Sequence, residues 1–180
     1  KKMIKQKTKM IIINPQHNPG GSVMTADDMK ELEKIISDSE ITIISDEVYE
    51  HIIFDGQKHE SIMRYPKLAE RSFDVFSFGK TYHTTGWKMG YVLAPKNLMV
   101  EFRKVHQFNA FVSNSPVQYA FADYMKNKDA YLSLAAFDQR KRDLFLEGLK
   151  GSLFKPLPPR RTFFQTTTNA PIRAARGAEP

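Results

Sequence analysis

Three short apolar runs rich in β-branched and aromatic residues, Met10–Ile13, residues 41–44 and residues 73–78, punctuate the first half of this chain. Continuous runs of this length suit strands buried on both faces rather than half-exposed ones. Between the first two, Met29, Leu32, Ile35 and Ile36 recur at helical spacing. Thr25 stands ready to cap that helix, and Asp27 and Asp28 suit the positive end of its dipole, which predicts a helix through about Ser37.

Further strands are expected at 72–77 and 89–94, with a short helical turn near residues 61–65. Beyond residue 94 the texture turns helical. One helix is expected from Pro95 to about Phe108. A second starts at Ser115-Pro116-Val117-Gln118, which has capping-box spacing, and runs to about Lys126. A third, long one is capped by Asp129 and reaches about Leu149. Strand, helix, three strands, then helices indicate an α/β fold with a mostly parallel sheet under helical cover. Residues 1–9 carry five lysines and read as a solvated entry; residues 151–180, rich in proline and threonine without helical period, read as a poorly ordered tail.

Composition narrows the function classes. With 180 residues and 41% hydrophobic content the chain can bury a core, and no run approaches the length of a membrane span. Cysteine is absent, which excludes disulfide and thiolate chemistry and is compatible with a reducing compartment. Of the net charge of +7, residues 151–180 supply Lys155, Arg160, Arg161, Arg173 and Arg176 against Glu179. The remainder is only mildly basic, so nucleic-acid binding is not favoured. His51, His59, His83 and His106 lack metal-ligand spacing and read as structural or surface residues. Arg140, Lys141 and Arg142 read as a solvated helix face, and Trp87 as packing.

In an α/β sheet, ligands sit off the carboxyl ends of the strands. Three strand ends here carry polar residues. The first delivers Asn18 through a loop with two prolines and two glycines, the second Asp46 and Tyr49, the third Ser77 and Lys80. A lysine held in a cleft loses hydration and more readily yields the neutral amine that adds to an aldehyde as a Schiff base. Ser77 three residues before it and Lys88 eight after would suit a phosphorylated aldehyde. Each residue has a plainer reading. Ser-x-x-Lys alone is a weak pattern, Asn18 can shape its turn, Asp46 can cap the next one, and Tyr49 can be an aromatic at the edge of the core.

Taken together, His17-Asn18-Pro19-Gly20-Gly21, Ser45-Asp46-Glu47-Val48-Tyr49-Glu50-His51 and the stretch from Ser77 to Tyr91 resemble the class I/II aminotransferases, pyridoxal-phosphate enzymes of fold type I. The similarity extends over roughly residues 10–150, and its wording is closest to the methionine and kynurenine aminotransferase branch. The resemblance implies catalytic roles for Lys80, Asp46 and Tyr49. Lys80 would anchor pyridoxal 5'-phosphate as an internal aldimine and then shuttle a proton, and Asp46 would pair with the pyridine nitrogen. Tyr49 and Asn18 would hydrogen-bond the phenolic oxygen, while Ser77 and Lys88 would hold the phosphate; no metal is implied.

The resemblance further implies amino-acid and 2-oxo-acid substrates, a homodimer and a cytoplasmic location. It divides the chain into residues 1–128, part of the cofactor-binding large domain, residues 129–150, a helix leading towards a small domain, and the atypical tail 151–180. Two departures stand out: Lys88 where arginine is usual, which gives up a bidentate fork, and Asn-Pro-Gly-Gly where Asn-Pro-Thr-Gly is commoner. The family's N-terminal phosphate loop, its ring-stacking aromatic and its carboxylate-gripping arginine have no counterpart here, so the chain reads as a fragment. The same lysine, aspartate and tyrosine would also serve a pyridoxal-phosphate lyase; a non-catalytic aminotransferase-like binding or regulatory fragment is the non-enzyme alternative.

Overall fold

In the computed structural model, which describes residues 3–18, 22–156 and 167–169, four strands form one sheet in chain order. β1 (Met10–Ile13), β2 (Thr42–Asp46) and β3 (Ser72–Ser77) run parallel. β4 (Gly90–Leu93) pairs antiparallel with β3. This is the mostly parallel α/β sheet expected from the sequence.

Register decides which side chains share a face. Ser45 lies opposite Asp74, Asp46 opposite Val75, and Ser77 opposite Gly90. Because side chains alternate along a strand, Ile43, Ser45, Asp74 and Phe76 point one way and Ile44, Asp46, Val75 and Ser77 the other. The first face is well covered. There α1 (Ala26–Ile36), a 3₁₀ turn (Ile62–Arg64) and α2 (Pro66–Ala69) bring Met29, Ile36, Ile62 and Leu68 against Ile41 and Ile43, all buried. Each such side chain stabilises the fold by roughly 1.5–3 kcal/mol.

The second face is covered less. Phe102 of α4 (Lys96–Asn109) meets Phe73 with ring centroids 6.0 Å apart, but Met10 and Ile12 are 47% and 73% exposed. The expectation that Met10–Ile13 is buried on both faces therefore fails. The strand forms, but it buries one face only.

Local chemistry sets the helix ends. At α1 the Thr25 hydroxyl accepts from the Asp28 amide (3.2 Å) while the Asp28 carboxylate accepts from the Thr25 amide (2.7 Å), a complete capping box. At its other end Arg71 donates to the carbonyls of Ile36 (3.2 Å) and Ser39 (2.6 Å). α5 (Ser115–Tyr124) is capped one residue earlier than its sequence suggests: Asn114 accepts from the Val117 amide (3.2 Å), and Gln118 turns back to the Ser113 carbonyl (3.1 Å). The long helix expected from Asp129 is two helices, α6 (Asp129–Leu132) and α7 (Leu134–Gly148). Between them the Ser133 hydroxyl bonds back to the Asp129 carbonyl at 2.6 Å and competes with the helical ladder.

A bidentate ion pair ties α7 to the rest. Asp55, at φ 58° ahead of Gly56 at φ 67°, holds both Arg142 nitrogens at 2.7 Å, and its amide donates to Gln139 at 2.8 Å. The guanidinium also lies 4.9 Å over the Phe54 ring. Arg142 is thus not part of a solvated face, as its basic neighbours suggested; its side chain is 12% exposed. Arg142→Ala is expected to lower unfolding stability by about 1–2 kcal/mol, with Arg142→Lys recovering little because it lacks the planar fork. Urea melts of the three chains would check this, and equal midpoints for lysine and arginine would refute it.

In the tail, β5 (Phe154–Pro156) pairs antiparallel with β6 (Thr167–Asn169). The rest of the expected tail, residues 157–166 and 170–180, lies outside the described residues, as do Pro19, Gly20 and Gly21. Among the described residues no helix is long and apolar enough to cross a membrane.

Candidate active site

The site grows from the carboxyl ends of β1, β2 and β3. Past β1, Pro15 is buried and the chain turns back on itself, with the His17 amide donating to the Ser22 carbonyl and the Met24 amide to the Pro15 carbonyl, both at 3.0 Å. This turn presents two asparagines to the end of β2. Asn14 donates to the Asp46 carboxylate at 3.4 Å, and Asn18 donates to the Tyr49 hydroxyl at 3.2 Å. Asp46 also accepts, at 3.4 Å, from the amide of Val48, so it caps the following turn loosely while facing Asn14.

The end of β3 supplies the amine. Ser77 leads into α3 (Phe78–Thr81), whose tight path depends on a bare backbone at Gly79. A Cβ there would stand 2.9 Å from the Thr85 Cα, below any tolerable contact. Instead the Gly79 carbonyl accepts from the Thr84 amide (3.0 Å) and the Thr85 hydroxyl (3.1 Å). The Thr81 hydroxyl bonds back to the Ser77 carbonyl (3.3 Å). So braced, Lys80 sends its Nζ to 5.8 Å from the centroid of the Tyr49 ring.

Lys88 follows the 3₁₀ turn Thr85–Trp87 in the left-handed region at φ 54° and is exposed. It stands two residues ahead of Gly90, the partner of Ser77, so these two residues occupy the same end of the β3–β4 ladder. Gly90 has to be glycine: a Cβ would meet the Phe76 carbonyl oxygen at 2.4 Å. Among the six residues singled out from the sequence, Asn18, Tyr49 and Lys80 are thereby brought together. Asp46 joins them through the same loop and strand end. Ser77 and Lys88 sit along the adjoining edge.

The electrostatics follow from burial. Desolvation raises the Tyr49 hydroxyl above its ordinary pKa, the Asp46 charge pushes the same way, and donation from Asn18 only partly offsets them. Tyr49 therefore stays a phenol, able both to accept and to donate.

Sequence reasoning missed Asn14, although its place at a strand end was a usable signal. It also missed what lies behind the site. Glu47 and Asp74 are fully buried on the covered face. Burial opposes ionisation of Glu47, but hydrogen bonds from His59, the Ile62 amide and Ser45 hold its carboxyl below the usual range. Asp74 goes the other way, pushed up to about 8 by desolvation and by the Glu47 charge. An acidic residue inside the apolar run 73–78 was the clue.

A cavity of about 470 Å³, lined by Glu50, His51, Thr81, Tyr82, Tyr91 and Tyr131 among others, includes none of Lys80, Asp46 or Asn18. In it the Tyr91 hydroxyl donates to Glu50 at 3.2 Å. Trp87, 53% exposed, has its ring centroid 5.6 Å from that of Phe121.

With the geometry of these strand ends in place, the chain as a whole can be compared with known proteins. The methionine aminotransferase of Escherichia coli (strain K12) is 44% identical over 163 residues, 90% of this chain and 42% of its own length. A kynurenine–oxoglutarate transaminase of Dictyostelium discoideum is 36% identical, over 88% of this chain and 38% of its own. The chain thus spans less than half the length of these relatives. Among solved structures, YbdL from Escherichia coli, identified with a methionine aminotransferase function, superimposes with a TM-score of 0.88 at 43% identity, covering 91% of this chain and 44% of that one. N-succinyldiaminopimelate aminotransferase from Mycobacterium tuberculosis does so with a TM-score of 0.84 at 30% identity, covering 89% of this chain and 42% of that one. The family model of aminotransferase class I and II matches residues 1–176, and with these relatives in agreement, the chain belongs to that family.

Proposed function

We propose that this chain carries the catalytic half-site of a pyridoxal-phosphate-dependent aminotransferase, which moves an amino group from an amino acid to a 2-oxo acid. The observation that carries the reading is the approach of the Lys80 amine to the Tyr49–Asn18 pair, with Asp46 held by Asn14 in the same loop. The residues fit the cofactor on the structure's own terms. Asn14 Oδ1 is a buried acceptor with no hydrogen-bond partner beside Asp46, and the donor set matches an aldehyde, a ring nitrogen, a phenolic oxygen and a phosphate. When bound, pyridoxal phosphate supplies an electron sink for the charge left on the substrate's α-carbon.

The chain's own groups would do the rest. Lys80 Nζ would hold the cofactor's aldehyde and would carry a proton to and from the substrate α-carbon. Asp46, whose carboxylate accepts from the Asn14 amide, would hold a proton on the ring nitrogen. Tyr49, a phenol at working pH, and Asn18 would hydrogen-bond the phenolic oxygen. Ser77 and Lys88 would hold the phosphate, the latter as a point charge.

Similarity to methionine and kynurenine aminotransferases supports methionine or an aromatic amino acid as donor. The large apolar side chains Phe108, Phe111 and Tyr119, 88%, 76% and 80% exposed, support burial against further protein, as in a homodimer. Residues 1–128 then belong to the large domain, 129–150 lead towards a small domain, and the enzyme works in the cytoplasm.

The test is direct: add pyridoxal phosphate, reduce with borohydride and map the modified peptide. A label on Lys80 is expected. A label spread evenly over the surface lysines would refute the assignment.

A further inference from the structure

Behind the proposed cofactor face runs a second line of polar side chains that amino transfer does not use. Glu47 follows Asp46 and, by strand alternation, points to the covered side. Its carboxylate accepts from the Ser45 hydroxyl (2.9 Å), the Ile62 amide (2.8 Å) and His59 Nε2 (2.5 Å). The other ring nitrogen of His59, Nδ1, contacts the side-chain nitrogen of Gln16. Gln16 is fully buried and belongs to the same turn that carries Asn14 and Asn18.

The turn is consequently held from both sides of the sheet. On one side Asn14 meets Asp46 and Asn18 meets Tyr49. On the other, Gln16 meets His59, and His59 meets Glu47, which is covalently flanked by Asp46 and stands two residues from Tyr49. Exposed ends of such turns sample many conformations, and ordering them in advance is what lets a few hydrogen bonds bind a ligand tightly. The buried contact through Gln16 adds a second anchor of the turn to the sheet, beside the bonds of Asn14 and Asn18 and the backbone bonds to residues 22–24.

We propose that Gln16, His59 and Glu47 are positioning residues that fix Asn14 and Asn18 relative to Asp46 and Tyr49, and so pre-set the cofactor cradle from behind. None of the three touches the cofactor in this scheme. The inference rests on the cofactor reading for its purpose but not for its geometry, and the two separate experimentally.

The experiment compares Gln16→Ala, His59→Ala and His59→Gln in the full 180-residue chain by amide hydrogen exchange and by pyridoxal phosphate titration. Gln16→Ala cuts only the link to the turn and leaves the Glu47–His59 pair intact. It is expected to speed exchange at residues 16–18 and 22–24 by about tenfold, with residues 43–45 of β2 unchanged, and to weaken pyridoxal phosphate binding by about tenfold. His59→Ala should do at least as much, and His59→Gln, which retains a donor towards Glu47, should fall between it and the parent. Unchanged exchange at residues 16–18 in Gln16→Ala would overturn the proposal. So would a rise spread equally over β1, β2 and β3, which is the mark of general loosening. If the parent chain does not bind pyridoxal phosphate, the cofactor reading fails, and the exchange measurement alone still decides whether the buried chain orders the turn.

Discussion

Lys80→Ala is expected to lower the amino-transfer rate by about four orders of magnitude and to remove the borohydride-stable label from the mapped peptide. Lys80→Arg should lose nearly as much, because a guanidinium does not give up a proton in a protein and cannot add to an aldehyde. Neither change should unfold the chain. Lys80 is only partly buried, and α3 is braced through backbone and hydroxyl groups of Ser77, Gly79, Thr81 and Thr85. Circular dichroism of the variants should therefore match the parent while the rate collapses. A rate within tenfold of the parent in Lys80→Ala would move the reacting amine elsewhere.

What was legible beforehand follows from which forces act locally. The strand at 72–77, the helix cap at Thr25 and the short turn near residues 61–65 form where the sequence places them, because each depends on neighbours in the chain. Cap choice and helix length were harder. Asn114 displaces Ser115 as the cap, and Ser133 interrupts the helix expected from Asp129, through side-chain bonds that compete with the backbone pattern. Long-range pairs were out of reach. Nothing in the local sequence says that Arg142 meets Asp55, 87 residues away, or that His59 turns inward to Glu47 rather than out to water. For the site, strand ends were readable, so Asn18, Asp46, Tyr49 and Lys80 could be named. The partners that orient them, Asn14 and Gln16, depend on how one turn folds back, and only coordinates give that.

Asp74→Asn is expected to remove a pH dependence of stability that the parent chain shows between pH 6.5 and 8. In the folded chain the Asp74 carboxyl holds its proton until about pH 8, since burial and the ionised Glu47 disfavour a second charge; unfolded, it loses that proton near pH 4. Between those values the folded state binds one proton more than the unfolded state. Stability is then greatest below the unfolded value and falls as pH rises, by about 1.4 kcal/mol per unit for a full proton. Among groups with the opposite sign, Asp28 and Asp55, held below the usual carboxylate range by Thr25 and Arg142, are deprotonated in both states throughout the window. Burial lowers His51 below its ordinary value, so the unfolded chain still binds protons there near the window's lower edge; this contribution is common to both chains and cancels in their comparison. Asparagine copies the protonated acid: its amide can donate towards Glu47, and its oxygen can keep the bond that Ser61 makes to Asp74 at 3.2 Å. On raising the pH from 6.5 to 8, Asp74→Asn should gain roughly 1–2 kcal/mol on the parent in urea melts. Parallel profiles for the two chains would show that Asp74 is ionised in the fold, and with it that Glu47 and Asp74 do not divide one charge between them.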